Sequence, residues 1–208
     1  MHVALTDVLA CPRCGPRFGL ILLAHRVEER RVLHGVLGCA NCRERYAVEQ
    51  GLGTLRVPGD ASRFGEAEQG DPAATEDALR IAALLGVTEG PALLLVAGPA
   101  AREAAAIAAM VDGAEVIAVA DGLERWTEEP GVSRVDAGLK LPFYSGSLHG
   151  AYLSGAASNL LLEEGARVVA ARGRVVLSSV PDDAEPRLAE LGLRPLARDD
   201  QRMVAARG

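Results

Sequence analysis

The cysteines constrain this chain more than any other feature, because all of them fall into two CxxC pairs near its start. Cys11 and Cys14 form the first pair, Cys39 and Cys42 form the second, and the 208-residue sequence has no others. Two such pairs can complete the tetrahedral four-sulfur shell that zinc adopts in structural sites. Redox dithiols or an iron–sulfur centre would use the same thiolates. The spacing predicts one structural zinc ion per chain, with those two sites as alternatives.

Cysteine usage also bears on where the protein works. Disulfide frameworks spread cysteines through small secreted domains, whereas these lie within the first fifth of the chain. No apolar run approaches the roughly 18 residues that a membrane span needs, and the first residues lack a signal-peptide pattern. We expect a cytoplasmic protein without a membrane partner.

Charge is distributed unevenly along the chain. Residues 1–58 contain 8 arginines and 5 acidic residues, formally +3, so the remainder carries −9 to reach the total of −6. One Zn²⁺ with four thiolates would lower the first part to about +1. An extended nucleic-acid footprint needs a strongly basic face, and the sequence predicts none. We expect a protein or ribonucleoprotein partner, with any RNA contact limited to a local arginine patch.

Composition and pattern divide the chain into three parts. Residues 1–58 contain short strands around the cysteine pairs, and residues 59–71 are polar, charged and glycine-containing, which predicts a linker. Residues 72–208 alternate strand patterns with helical ones. The sequence therefore predicts a small β-rich zinc ribbon (residues 1–58, the ribbon), a linker, and an α/β domain (residues 72–208, the body).

The body begins with a helix signal and continues with buried strands. Asp71 before Pro72 predicts a helix start, followed by a helical stretch whose Leu79, Ala82, Ala83 and Leu85 can share one face. ALLLVA at 92–97 and EVIAVA at 115–120 are continuous apolar runs, typical of buried parallel strands. Five further strands are predicted at 132–135, 151–154, 173–178, 193–197 and 202–206. The last two predict a hairpin, which would end a mostly parallel seven-stranded sheet with an antiparallel strand.

The ribbon resembles a known family of small zinc-ribbon proteins. Its segments LTDVLACPRCG (5–15) and GCANCRERYAVEQGLGTLRV (38–57) are similar to the Trm112 family pattern of CPxCxG, a hairpin, then CxxCxxxYPVxxGIPxLL. Four further matching positions are Tyr46, Val48, Gly51 and Leu55. The resemblance implies a module that binds and stabilises methyltransferases, including enzymes that act on tRNA, rRNA and release factors.

The body resembles class I S-adenosylmethionine-dependent methyltransferases. LPFYSGSLHGAYLSGA (141–156) is similar to that family's LPFxDGSFDxVxxSxxL, and LLEEGARVVAARGRVVLSS (161–179) is similar to LxExxRVLxPGGxLVLS. LAELGLRPL (188–196) resembles LxxAGFxxV before the final hairpin. The resemblance implies a Rossmann-like methyltransferase fold, whose antiparallel last strand agrees with the predicted hairpin.

The cofactor positions of that family are only partly kept. In such enzymes the first strand ends in an acidic residue and a GxGxG turn, because the cofactor lies directly on the backbone. The corresponding residues here are Leu95, Ala97, Pro99 and Ala101. The resemblance implies three candidate cofactor-binding residues: Gly98 in the loop, Asp121 beside the ribose-binding acidic position, and Asp136 beside the adenine-contacting one. No nucleophile or catalytic dyad is recognised.

Two functions follow from these resemblances. Loss of the glycine turn favours an inactive pseudo-methyltransferase that has lost ordinary S-adenosylmethionine binding and serves as a binding or scaffold module for a protein or ribonucleoprotein partner. The alternative is an active methyltransferase with an atypical cofactor loop, acting on RNA, protein or a small molecule, since simple methyl transfer can rely on positioning. A dinucleotide-binding or unrelated α/β enzyme is disfavoured, because no GxGxxG follows a strand.

Overall fold

One continuous sheet organises the computed structural model, which describes residues 1–73 and 75–208. Its twelve strands within those residues are β1 Ala10–Cys11, β2 Gly15–Glu28, β3 Arg31–Cys39, β4 Arg45–Glu49, β5 Leu52–Leu55, β6 Ala92–Ala97, β7 Ala114–Val119, β8 Val132–Ala137, β9 Leu148–Leu153, β10 Val169–Ser178, β11 Leu193–Arg198 and β12 Arg202–Arg207. The α-helices are α1 Glu76–Leu85, α2 Ala104–Met110, α3 Ala157–Leu160, α4 Leu162–Val168 and α5 Ala184–Glu190. The order across the sheet is β1-β2-β3-β4-β5-β8-β7-β6-β9-β10-β12-β11.

Seven of these strands confirm the predicted fold class. From β8 to β10 the neighbours in the order β8-β7-β6-β9-β10 are parallel, and the last strand, β12, is antiparallel to both β10 and β11. Alternate residues enter two cores, Leu95 and Ile117 on one face and Leu94 and Val116 on the other. Burial on both faces is why these strands are continuous apolar runs. The strand order reverses between β6 and β9, where open α/β sheets form their ligand clefts.

The helix that opens the body starts later than predicted. The Thr75 hydroxyl caps α1 by accepting from the Ala78 N–H at 2.9 Å, whereas Asp71 accepts from the Ala73 N–H at 2.7 Å in the preceding turn. Leu79 is 56% exposed whereas Leu85 is buried, so the prediction that the two share one face of the helix is wrong. The buried side chains of α1 are Ala78, Ile81 and Leu85. No helix in the described part of the chain is long and apolar enough to cross a membrane.

The ribbon packs on the body of its own chain. Strand β5 pairs in parallel with β8, placing Leu52 beside Arg134 and Leu55 beside Ala137. On one face of the sheet, a single cluster of buried side chains includes Leu37 of the ribbon and Leu95 of the body. This pairing extends the methyltransferase-like sheet directly into the ribbon.

Charged side chains reinforce this junction. Arg31 of the ribbon donates to Glu128 at 2.6 Å and to Glu115 at 3.2 Å, and its third nitrogen contacts the Val132 carbonyl. Arg134 of the body, with a side chain 3% exposed, donates to Glu128 at 3.0 Å and to the Gln50 carbonyl. Because these groups are largely removed from water, each depends on its partners.

Acid should weaken this junction through Glu128. Burial opposes ionisation of Glu128, but the Arg31 guanidinium outweighs it, with help from the Met1 ammonium and Arg134, and lowers its pKa. The folded pKa is therefore below the unfolded one, so this carboxylate stabilises the folded state above the unfolded pKa of about 4.3, and the contribution is lost as pH falls through the folded value. We expect Glu128→Gln to flatten this part of the pH dependence of the free energy of unfolding, measured with urea.

Glu76→Gln is the matched control, because the Glu76 side chain is 86% exposed on α1. It should leave the acid slope of the wild type unchanged. Parallel pH profiles for Glu128→Gln and the wild type would contradict the assignment. Acid would also release a metal held by thiolates, but it would do so equally in the wild type and in Glu128→Gln. The difference between their pH profiles therefore reports on Glu128 alone.

Candidate metal centre and cofactor cleft

The four cysteine sulfurs lie close enough to hold one ion. Cys11 ends β1 and Cys14 lies in the turn after it, while Cys39 ends β3 and Cys42 lies in the turn after that strand. All four Sγ atoms lie within 4.8 Å of one another, with Cys11 to Cys42 at 3.7 Å and Cys14 to Cys39 at 3.8 Å. A tetrahedral zinc site with bonds near 2.3 Å has sulfur–sulfur edges of roughly 3.8 Å, whereas a disulfide bond is about 2.05 Å. The donor set and its spacing fit a structural metal.

The surroundings of Cys39 favour its thiolate, the form that binds metal. Burial opposes ionisation of Cys39, but the backbone N–H groups of Cys42 and Asn41 outweigh it and lower its pKa to about 7. The Tyr46 hydroxyl lies 3.6 Å from the Cys11 sulfur, and burial raises the pKa of both groups. A cation among the sulfurs would offset the cost of burying their charge. Tyr46 thus contacts a candidate metal ligand from outside the four-sulfur set.

The second candidate site is the cleft at the carboxyl ends of β6, β7 and β9. Ser154, after β9, closes the loop after β6 by donating to the Ala97 carbonyl at 2.7 Å and accepting from the Ala100 N–H at 2.9 Å. Gly98 has a φ of +79°, and a Cβ there would lie 2.2 Å from the Ser154 carbonyl oxygen. The backbone around Gly98 therefore accounts for a glycine at this position without a bound cofactor.

Residues 60–67, here called the cleft segment, lie across this site. They belong to the stretch predicted as a linker, yet Phe64 is only 1% exposed. The Phe64 carbonyl oxygen would lie 3.1 Å from a Cβ on Gly98, and the Pro99 ring lies 3.0 Å from the Cβ position of Gly65. This packing was not predicted from the sequence. A single phenylalanine in a polar stretch was the signal that could have revealed it.

The cleft segment uses Asp121, a candidate cofactor residue. One oxygen of this 7%-exposed side chain accepts from the Phe64 N–H at 3.1 Å and from the Gly65 N–H at 3.0 Å. The Arg63 guanidinium lies 3.5 Å from the other oxygen. Two adjacent main-chain donors thus occupy one oxygen of the carboxylate that lies beside the ribose-binding position implied by the resemblance.

Asp136 is also engaged by residues that precede the body. It lies in β8 and accepts from Arg56 at 2.9 and 3.0 Å, while the same guanidinium donates to the Ser62 carbonyl at 2.7 Å. Asp60 accepts from the N–H groups of Ser62 and Leu139, each at 2.9 Å. Burial opposes ionisation of Asp60, but the hydrogen bond from the Ser62 hydroxyl, with help from these two N–H groups, outweighs it and lowers its pKa. The start of the cleft segment is therefore fixed to both ribbon and body.

A cavity of about 320 Å³ remains beside the cleft segment. Its lining includes Thr54, Arg56, Arg63, Asp121 and Asp136. The structure thus brings two of the three candidate cofactor residues to one cavity. Gly98 is not in its lining, because Phe64 and Gly65 lie between.

Two solved structures with a similar fold are methyltransferases. Geranyl diphosphate C-methyltransferase from Streptomyces coelicolor A3(2), in complex with Mg²⁺, geranyl-S-thiolodiphosphate and S-adenosylhomocysteine, matches with a TM-score of 0.52 and 15% identity over 70% of this chain and 87% of its own. Geranyl diphosphate methyltransferase in complex with S-adenosylmethionine matches with a TM-score of 0.52 and 13% identity over 64% and 84%.

A further match is a chain of the complex between the Haloferax volcanii Trm112 methyltransferase activator and the putative methyltransferase, with a TM-score of 0.48 and 16% identity over 60% of this chain and 70% of that one. No family model and no curated protein matches this sequence. The strand order and the matches above a TM-score of 0.5 show that the body has a Rossmann-like methyltransferase fold, and a cysteine cluster able to hold a metal lies in the β-rich region before it.

Proposed function

We propose that this chain is a pseudo-methyltransferase that serves as a binding or scaffold module for a protein or ribonucleoprotein partner. Its body would keep the methyltransferase fold while its own chain fills the cofactor cleft. The observation that carries the proposal is the pair of main-chain hydrogen bonds from Phe64 and Gly65 to Asp121. In Rossmann-like sites an acidic side chain at this place binds the ribose of the cofactor.

Admitting a cofactor would require the cleft segment to leave. Ribose hydroxyls could replace the two hydrogen bonds to Asp121, but the 1%-exposed Phe64 ring would lose its burial. That loss costs roughly 2 kcal/mol, which lowers affinity about thirtyfold. Pro99 should lower the affinity for the cofactor further, because it has no N–H in the loop where a glycine turn would face the cofactor. These effects together support a body without ordinary S-adenosylmethionine binding.

The ribbon would supply structure and contacts in this scaffold. We propose that it is Trm112-like and that Cys11, Cys14, Cys39 and Cys42 hold one zinc ion. A four-thiolate shell leaves no open coordination position, so the ion would stabilise the fold without taking part in chemistry. The ribbon docks on its own body through β5 and β8 and also beside β1, where the Ala10 N–H donates to the Pro142 carbonyl at 2.9 Å. Beyond Leu20 the described strands pair with β2 only on its β3 side, so a partner would bind there.

Calorimetry with S-adenosylmethionine and S-adenosylhomocysteine tests the proposal. We expect the zinc-loaded protein to show no saturable binding of either compound at micromolar concentrations, because Asp121 and the space above Gly98 are already occupied. Micromolar binding of either compound would overturn the pseudoenzyme proposal.

A second candidate function is an active methyltransferase whose cleft segment moves aside. The cavity that keeps Asp121 and Asp136 together favours it. Gly65→Pro tests this, because proline cannot adopt the φ of +104° and should expel the cleft segment from Asp121. Micromolar binding gained by this variant, but not by the control Glu68→Ala, would favour a gated enzyme. No gain would indicate that the loop at Pro99 is itself closed to the cofactor.

A further inference from the structure

Four exposed cations that form no ion pair within the described residues lie around the cysteine pairs, and we propose that this end of the ribbon binds single-stranded RNA. The proposal rests on the function above, because it names the RNA part of a ribonucleoprotein partner, next to the open side of β2. The surface is here called the cysteine end, and its exposed residues are Arg13, Arg17, Phe18, Arg43, Arg45 and Lys140.

Contacts around the cysteines bring these residues to one place. Arg13, in the turn between the first two cysteines, pairs with Glu44 at 2.8 Å. Arg43 and Arg45 flank Glu44 in the chain. Arg13 also lines a cavity of about 280 Å³ together with Lys140 of the body. Arginines of the ribbon and the lysine of the body therefore share one end of the molecule.

An irregularity in β2 adds a further arginine and an aromatic ring to the cysteine end. Strand β1 pairs with β2 at Gly15 and at Gly19, so residues 16–18 have no partner in β1. Bulges of this kind redirect side chains out of the regular ladder. Arg17 is exposed and Phe18 is 40% exposed. Side by side, they offer a guanidinium for a phosphate and a flat face for a base.

Most acidic residues of the ribbon lie at its other end. Glu28 and Glu29 lie at the turn between β2 and β3, and Glu49 pairs with His34 across β3 and β4. Strand β3 runs from that turn to Cys39, so these three carboxylates lie away from the cysteines. The ribbon thus has a mixed-charge end at the hairpin and a basic end at the cysteines.

Few carboxylates remain near the cysteine end, and two of them are already paired. Glu44 is held by Arg13, and Glu164 lines the same cavity as Lys140 but pairs with Arg167 at 2.6 Å. The exposed Asp7 precedes β1.

A bound metal would not reverse the charge of this end. Its five cations exceed Glu44, Asp7 and the formal charge of about −2 of a zinc ion with four thiolates by about one unit. Cys11 and Cys39 are buried at 1% and 4% exposure, whereas the cations are exposed. Exposed charges are largely screened beyond about 8 Å at physiological ionic strength, so a phosphate responds chiefly to the nearest guanidinium or ammonium group.

Base stacking distinguishes RNA from an acidic protein as the occupant. An acidic segment would use the cations and leave the Phe18 ring unused. Single-stranded RNA presents phosphates together with unpaired bases, which stack on aromatic rings and on guanidinium planes. The exposed large apolar side chains of the described chain include one aromatic ring, and it is that of Phe18, beside Arg17. This juxtaposition favours RNA.

The test uses the zinc-loaded full chain and a fluorescently labelled RNA of about ten uridines. Fluorescence anisotropy should show saturable binding whose log–log dependence on salt has a slope between about −2 and −3, as expected for three or four phosphate contacts at about −0.7 each. Arg43→Gln should weaken binding and make the slope shallower by about 0.7. Arg194→Gln, at an exposed arginine of β11 outside the cysteine end, should change neither.

The aromatic ring and the lysine give two further readouts. Phe18→Ala should weaken RNA binding at least about fivefold because a stacked base is lost, whereas Phe18→Tyr keeps the ring and should bind normally. Lys140 is the single lysine of the sequence, so its acetylation by an amine-reactive reagent can be followed by peptide mass spectrometry. Bound RNA should slow this acetylation in the unaltered chain, which makes the readout independent of any substitution.

Several results would overturn the proposal. Absence of saturable RNA binding, equal binding by Phe18→Ala and the wild type, equal effects of Arg43→Gln and Arg194→Gln, or unchanged acetylation of Lys140 would each do so. A peptide of about ten glutamates that binds as tightly as the RNA would make an acidic protein the occupant and would also reject it. Micromolar S-adenosylmethionine binding would overturn the pseudoenzyme proposal alone, so the two failures are distinguishable.

Discussion

Cys39→Ser should remove the metal and unfold the ribbon. Metal analysis of the wild-type protein should find one zinc ion per chain, and the variant should retain none, because one of the four thiolates is lost. Binding of structural zinc contributes roughly 10–16 kcal/mol in small zinc domains, as much as the whole stability of an ordinary domain. Hydrogen exchange should therefore become fast throughout β2 to β5, and the body should lose the strand that covers β8.

Asn41→Ala is the control for this experiment. Its side chain donates to the Cys14 sulfur at 3.3 Å from outside the four-sulfur set, so the variant should keep its zinc and lose only about 1 kcal/mol. A wild-type ribbon that stays protected from exchange after chelation would contradict a structural metal. Iron with acid-labile sulfide in the purified protein would indicate the iron–sulfur alternative instead.

Arg134→Met should destabilise the folded chain by about 3–5 kcal/mol, because it removes one partner from a buried charged network. The 3%-exposed side chain donates to Glu128 at 3.0 Å and to the Leu123 carbonyl at 3.3 Å, and it also contacts the Trp126 and Gln50 carbonyls. Methionine fills similar space but donates no hydrogen bond to Glu128 or to these carbonyl groups. Urea unfolding in the presence of zinc measures the loss.

Arg80→Met provides the comparison on the surface. Arg80 is 41% exposed on α1 and pairs with Glu76 and Asp77, so removing it should cost less than about 1 kcal/mol. Similar losses for both variants would show that the ribbon–body junction does not depend on Arg134. A transition that separates into two steps in Arg134→Met would instead show that the junction holds the two parts together.

The sequence alone predicted the parts of this protein whose signals are local. Paired cysteines bring their sulfurs together through short turns, and the structure places all four Sγ atoms within 4.8 Å of one another. Strands buried on both faces must be apolar, so β6 and β7 could be recognised from their own residues. The final hairpin was visible because a short polar turn separates β11 from β12. Helix α1 was placed too early, because Pro72 stood out more than the Thr75 cap.

The candidate cofactor site depended on contacts between distant residues. Asp121 follows β7 in a position that suits a ribose, and its sequence neighbours do not show that the N–H groups of Phe64 and Gly65 already occupy it. Those residues lie in a polar stretch whose composition is typical of a linker. Their packing against Pro99, which places them in the cleft, is visible only in the structure. The sequence by itself determined the four-cysteine cluster that could hold a metal and the methyltransferase-like order of strands, because turns and burial are encoded locally. Only the tertiary structure decided that the cleft is filled and that β2 is left open, because hydrogen bonding and edge exposure depend on which distant segments meet.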